Sequence, residues 1–210
     1  MFLLRKIASF FRRIPIAFQK KSSELKLKKL HPDQFARFNE LKTGFLDVYN
    51  NFNKTSNSNF QHETWTKFSD EILSEMKPIP TISFFNNPSL TKTMTNEAFS
   101  IDVDEFIFQI NQYSSGFLPD DFYEEDLIGV PILLKNHASK RTSLGRIVHL
   151  YQAALSSNIT GNIKDVDTVT EWGGGFGGLS RLVKKINQNI TYNIVDIPLS
   201  CSIQWLYLSS

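Results

Sequence analysis

The chain has 210 residues, 41% of them apolar and 18 of them Phe, enough for a substantial core in one large domain or in a domain with an appendage. Its one cysteine, Cys201, excludes a disulfide framework and a cysteine-based metal site, and fits a reducing compartment. The net charge of +2 joins two unlike parts: residues 1–29 carry nine Lys/Arg against Glu24 alone, a net +8, while the remainder holds 14 basic and 20 acidic residues, a mildly acidic body that argues against a nucleic-acid partner.

No apolar run approaches the length of a membrane span. Residues 1–29 also lack the uninterrupted apolar core and small-residue cleavage site of a signal peptide. They read instead as a basic amphipathic leader. Leu3, Leu4, Ile7, Phe10, Phe11, Ile14 and Phe18 share one side of a helical wheel, Arg5, Lys6, Arg12 and Arg13 the other, and Pro15 kinks or ends the helix. Such a helix either lies peripherally on an anionic membrane surface or packs on the body of the protein.

Residues 30–137 read as a helical region. Pro32 suits a first turn, and Phe35, Phe38, Leu41, Phe45, Val48, Tyr49 and Phe52 then recur at helical spacing. A polar loop spans 50–59. Trp65, Phe68, Ile72 and Met76 mark a second helix ending at Lys77-Pro78, and 78–88 reads as extended or irregular. A third helix is expected over about 89–99, and a fourth through Val103, Phe106, Ile107, Ile110 and Tyr113. Residues 114–131 read as a loop. Its five carboxylates at 120–126 lack the alternating ligand pattern of a calcium loop and read as a solvated face.

After residue 137 the pattern changes. Leu144, Ile147, Val148, Tyr151, Ala154 and Leu155 form a helical stripe, and "SSNITGN" (156–162) reads as a loop. A short β-branched strand at 167–172 runs into the turn "GGGFGG". Phe176, Leu179, Leu182, Val183 and Ile186 then line one face of a helix, a second strand follows at 190–196, and 197–208 turns into another helix. Helix–strand–glycine turn–helix–strand–helix over 138–210 is the opening of a parallel α/β sheet.

In such a sheet the turn after the first strand faces the ligand crevice, and glycines there let a ligand lie against the backbone. Gly173, Gly175 and Gly178 fit the dinucleotide spacing G-x-G-x-x-G. Glu171, Gly173, Gly175 and Gly177 equally fit E-x-G-x-G-x-G, with Gly174 between them. A carboxylate two residues before the first glycine suits the cationic methionine end of S-adenosylmethionine and repels a pyrophosphate. Asp196, 23 residues beyond Gly173 at the end of the second strand, is placed to accept hydrogen bonds from ribose hydroxyls. Glu171, Gly173, Gly174, Gly175, Gly177 and Asp196 are therefore the expected cofactor-binding residues.

Three segments carry a more specific likeness: Glu171–Gly177, Ile194-Val195-Asp196-Ile197-Pro198, and Gln204-Trp205-Leu206-Tyr207-Leu208. With the preceding helix "SLGRIVHLYQAAL", they resemble the putative sugar O-methyltransferases of bacterial surface-polysaccharide clusters, a class I S-adenosylmethionine-dependent family. The likeness covers about 70 residues, and over 30–137 it is only general. It implies a Rossmann-like fold and methyl transfer from S-adenosylmethionine to a hydroxyl of a sugar or glycan precursor in the cytoplasm, at the inner face of a membrane if the leader binds there.

The chemistry calls for a general base or a metal, because a sugar hydroxyl is a weak acid. No residue can be assigned as base. His149 lies beside the apolar stripe of its helix and reads as a boundary histidine before it reads as a base, while His31, His62 and His137 sit near helix starts or loops. No spacing of histidines and carboxylates reads as a metal site. Arg146 and Lys135 are candidates for holding an anionic sugar nucleotide, against the commoner role of solvated charges. A class I methyltransferase sheet has about seven strands and this sequence supplies two, so the expectation is the first half of such a domain, truncated at the C-terminus. The alternatives are an NAD(P)-dependent Rossmann enzyme and a non-catalytic membrane-surface or interaction protein.

Overall fold

The computed structural model describes residues 24–56, 62–95, 102–114, 118–134 and 141–210. Most of the leader, Lys135 and His137 lie outside the described residues. Helix α1 (Pro32–Leu41) starts on Pro32, whose missing N–H leaves nothing unpaired at a first turn. A 3-10 turn at Lys42–Gly44 separates it from α2 (Phe45–Thr55), so the apolar period from Phe35 to Phe52 is carried by two helices. The break falls where Trp205 passes: a Cβ on Gly44 would sit 3.7 Å from its ring.

Helix α3 (Glu63–Met76) is capped by the His62 ring, which accepts the Thr64 N–H. Helix α4 (Pro88–Met94) is capped by Asn87 and is shorter than the expected 89–99, whose end lies outside the described residues. Helix α5 (Val103–Ser114) follows, then α6 (Leu144–Thr160), capped by the Ser143 hydroxyl on the Arg146 N–H. Helix α6 runs through most of the stretch expected as a loop. Thr160 returns its hydroxyl to the Ser156 carbonyl at 2.8 Å, and Gly161, at φ +100°, ends the helix.

Strand β1 (Thr168–Trp172), helix α7 (Gly178–Ile186), strand β2 (Thr191–Val195) and helix α8 (Pro198–Leu208) complete the chain. The strands pair in parallel, Thr168 opposite Thr191 through Trp172 opposite Val195. The molecule is thus mixed α/β and mostly helical, with a small two-stranded parallel sheet. The period of two places Val169, Glu171, Tyr192 and Ile194 on the half-buried face. The other face is exposed, with Trp172 86% accessible.

One hydrophobic cluster joins Phe38, Phe45, Ile72, Met76, Phe84, Phe85 and Leu90 of the helical region to Phe176, Leu199, Ile203, Leu206 and Tyr207. Helix α8 is buried along most of its length because α2 packs against it. Phe176, the one non-glycine residue in the turn, stands edge-on to Phe85 and Tyr207 at 4.6 and 5.2 Å between ring centres. Such pairs contribute about 0.5–1.5 kcal/mol each beyond their burial. The turn is therefore pinned to the core by its own side chain. A second cluster gathers α5, α6 and α7 around Ile110, Ile147, Leu150 and Leu182, and a third sets Ile163, Val183 and Ile190 under the sheet. Among the described residues, no helix is long and apolar enough to cross a membrane.

Candidate cofactor site

The turn leaves β1 with Gly173, Gly175 and Gly177 at φ +76°, +56° and +92°. Gly173 faces open space: a Cβ there would meet no atom within 4 Å, so only its backbone angle demands glycine. Gly174 is glycine for the opposite reason. A Cβ would fall 2.7 Å from the Ile194 Cγ2 and 2.9 Å from the Glu171 Oε2. The Glu171 carboxylate thus lies directly against the backbone of the turn. The Gly173 N–H donates to the Val195 carbonyl at 2.9 Å, which fastens the turn to the end of β2. Gly175 lies beneath the Met94 carbonyl at the end of α4, and Gly177 beneath Leu208.

Asp196 follows β2 and meets the same turn. Its Oδ1 accepts the Ile197 N–H at 2.8 Å, and its Oδ2 accepts the Gln204 side-chain amide at 2.9 Å. The same Gln204 nitrogen donates to the Gly175 carbonyl at 3.0 Å. Ser200 and the Gly175 N–H also support the carboxylate. Glu171 accepts the Tyr192 hydroxyl at 3.0 Å from the neighbouring strand. All six residues expected from the sequence therefore converge at the carboxyl ends of the two strands.

The electrostatics follow from this geometry. Burial pushes both carboxyls above their ordinary range. The charge of Asp196 pushes Glu171 further up, while hydrogen bonds from Tyr192 to Glu171, and from Ile197, Ser200 and Gln204 to Asp196, pull back. Tyr192 is itself pushed up by burial and by Glu171. Among the described residues, no lysine or arginine pairs with either acid. Two neighbouring carboxylates thus border an open stretch of backbone, with no cation paired to them among the described residues. Such a site attracts a cationic or hydroxyl-rich ligand and repels a pyrophosphate.

The other candidates lie elsewhere. His149 packs on Phe176, 5.6 Å between rings, and on Gly178, where any Cβ would fall 2.4 Å from the ring. Burial and the nearby Arg146 hold it down to about 3, so it stands neutral in the α6–α7 contact. Arg146 is 3% exposed and bound to Glu125 and Asp126 at 3.3 and 2.8 Å, so it is not free to hold a sugar nucleotide. The acidic run is consequently not the solvated face its composition suggests. Asp120 and Asp121 are exposed, but Glu125 is buried, accepts the Ser143 hydroxyl, and is pushed up by burial against the pull of Arg146. Asp126 also takes Arg181 at 3.3 Å, and Arg181 donates to the Tyr207 carbonyl at 2.6 Å. This network ties the loop to α6, α7 and α8. Among the described residues, no group of three or more His, Cys, Asp or Glu is placed to hold a metal ion.

Sequence reasoning did not assign Gln204 and Tyr192 to the site. Gln204 lies eight residues beyond Asp196, about two helical turns along α8, and that spacing was the available signal. The chain matches no protein-family model, no curated protein and no solved structure.

Proposed function

We propose that the chain is an S-adenosylmethionine-dependent O-methyltransferase, or part of one, acting in the cytoplasm on a hydroxyl of a sugar in a surface polysaccharide or its precursor. The observation that carries the cofactor is the pair Glu171 and Asp196, two partly buried carboxylates with no Lys or Arg paired to them among the described residues, set against a glycine turn open at Gly173. On this reading Glu171 attracts the positively charged methionine end and Asp196 binds the ribose. The glycine turn takes the cofactor against its backbone in a sheet of Rossmann-like type. When bound, the cofactor supplies an electrophilic methyl on a sulfonium, and the chain supplies orientation and a place for the acceptor's proton. The sugar acceptor rests on the resemblance of the three motif segments alone.

Titration calorimetry with S-adenosylhomocysteine tests the cofactor. The wild-type chain should bind it, and Asp196→Ala should bind about tenfold or more weakly, the loss of a charge-assisted hydrogen bond. Tight binding of NADH with no response to S-adenosylhomocysteine overturns the reading in favour of a dinucleotide enzyme. The net +8 of residues 1–29 supports peripheral contact with an anionic membrane surface, compatible with glycan assembly there. Pelleting with phosphatidylserine vesicles should fall when residues 1–29 are deleted, and unchanged pelleting removes the membrane contact.

A further inference from the structure

Asp196 is held by two donors of different kinds. Ile197 contributes a backbone N–H to one carboxylate oxygen, and Gln204 contributes a side-chain amide to the other. The Gln204 NH2 group carries two hydrogens, which matches its two acceptors, Asp196 at 2.9 Å and the Gly175 carbonyl at 3.0 Å. One amide thus bridges the end of β2 and the middle of the glycine turn. Gln204 is itself 5% exposed, and its backbone is fixed by the core. Ile203, Leu206 and Tyr207 are buried around it, and Trp205 rests at the Gly44 break.

We propose that Gln204 is the positioning residue of the cofactor site, fixing the separation and orientation of Asp196 and the Gly175 backbone while leaving the carboxylate its charge. The inference rests on the cofactor reading above. The chemistry explains the residue type. A lysine or arginine would hold Asp196 equally well and would cancel the negative charge that a cationic nucleoside meets. A carboxylate would repel both acceptors. An amide donates twice and adds no charge. The residue also links the helical region to the site, because the packing of α2 on α8 sets where the amide lies.

The titratable groups around the amide are Asp196, Glu171 beside it, Tyr192 bonded to Glu171, and the Cys201 thiol 3.5 Å from the Asp196 carbonyl. This setting gives Gln204→Glu a distinctive signature. At pH 8 the introduced carboxylate faces Asp196 and the Gly175 carbonyl with no hydrogen to donate. As pH falls, a shared proton restores one donor. A side chain that only filled space would show no such recovery.

The test is calorimetric titration of the full chain with S-adenosylhomocysteine at pH 8 and pH 6, with circular dichroism confirming the fold of each variant. Gln204→Ala should bind about 10- to 100-fold more weakly than wild type, the range for a lost hydrogen bond to a charged group. Gln204→Asn keeps the amide one methylene short of its two acceptors and should lose about 3- to 10-fold. For Gln204→Glu, the ratio of wild-type to variant affinity should fall at least about threefold from pH 8 to pH 6. Affinities of the Ala and Asn variants within about twofold of wild type, or a ratio for Gln204→Glu that is flat with pH, overturn the positioning role. A wild-type chain that does not bind S-adenosylhomocysteine overturns the cofactor reading itself, and the inference falls with it. The two failures are told apart by the wild-type titration.

Discussion

Gly174→Ala separates the two reasons for which this turn uses glycine. The new Cβ would lie 2.7 Å from the Ile194 Cγ2 and 2.9 Å from the Glu171 Oε2, inside the 3.4 Å at which ordinary contact begins. Ile194 sits in the sheet and Glu171 is tied to Tyr192, so neither neighbour yields freely. Overpacking of this kind costs about 1–3 kcal/mol, and the stiffer unfolded chain offsets about 0.4–1 kcal/mol. The net loss is about 0–2.6 kcal/mol with a centre near ~1.3 kcal/mol, which is about 3–5 °C in the unfolding midpoint of a chain of this size. Because Glu171 is one of the two groups struck, Glu171→Ala should return about half of that loss, a coupling of about 0.5–1 kcal/mol in a double-mutant cycle. Gly173→Ala is the control. Its Cβ meets nothing, its φ of +76° alone costs about 1–2 kcal/mol, and it should be additive with Glu171→Ala. Urea unfolding followed by far-ultraviolet circular dichroism measures all of these variants. An additive cycle for Gly174→Ala and Glu171→Ala would show that the carboxylate does not lie against the turn, and the argument for a built acidic site would fail.

Glu171→Gln keeps a partner for the Tyr192 hydroxyl and removes a charge. The native carboxyl is raised above its unfolded value, so the folded chain binds the proton more tightly and wild-type stability falls as pH rises through that range. The variant should therefore melt above wild type at pH 8, with the difference closing as pH falls below the native pKa, and it should bind S-adenosylhomocysteine more weakly; a variant less stable than wild type at pH 8 contradicts the shift. Arg146→Ala leaves the buried Glu125 without its cation and should cost about 3–5 kcal/mol in urea unfolding. Arg146→Lys should recover only part of this, since an ammonium does not reproduce the fork that spans Glu125 and Asp126. His149, held down to about 3, should show no titration of its ring carbon proton between pH 5 and 8 by nuclear magnetic resonance. A midpoint near its ordinary value would place the ring in solvent.

Much of the candidate site is legible in the sequence because its determinants are local. The β-branched run before the glycines and the one before Asp196 set the strands to within a residue at each end, and the spacing of Glu171, the glycines and Asp196 then follows from the strand ends. The period of α7 is equally local. What escaped depends on distant residues. The acidic run reads as solvated until Arg146 and Arg181 arrive, 20 and 55 residues beyond Asp126. The helix expected through Phe52 passes through a 3-10 turn at Lys42–Gly44, beside which Trp205 packs from far along the chain. Helix α6 continues through Ser156–Thr160, residues of modest propensity; the Thr160 hydroxyl bonds back to the Ser156 carbonyl, and the Ser157 hydroxyl accepts the Ile163 N–H beyond the helix end.

Four carboxylates show how the fold separates structure from chemistry. Glu125 and Asp126 are held by Arg146, with Arg181 added at Asp126, and bond loop, α6 and α7 together. Their charges are compensated, and removing a partner costs stability. Glu171 and Asp196 are half-buried as well, yet their partners are a phenol, an amide, a hydroxyl and backbone N–H groups, all neutral. Neutral donors orient a carboxylate without cancelling its field. Among the described residues, arginines neutralise one acidic pair and none pairs with the other, which leaves a negative potential at the open end of the sheet. Burial raises both acids, as it raises Glu125, and no arginine among the described residues pulls them back. Asp196 suits the ribose of a sulfonium nucleoside and of a dinucleotide alike; on the proposed reading it is Glu171, lying against the turn where a pyrophosphate would sit, that favours the sulfonium nucleoside.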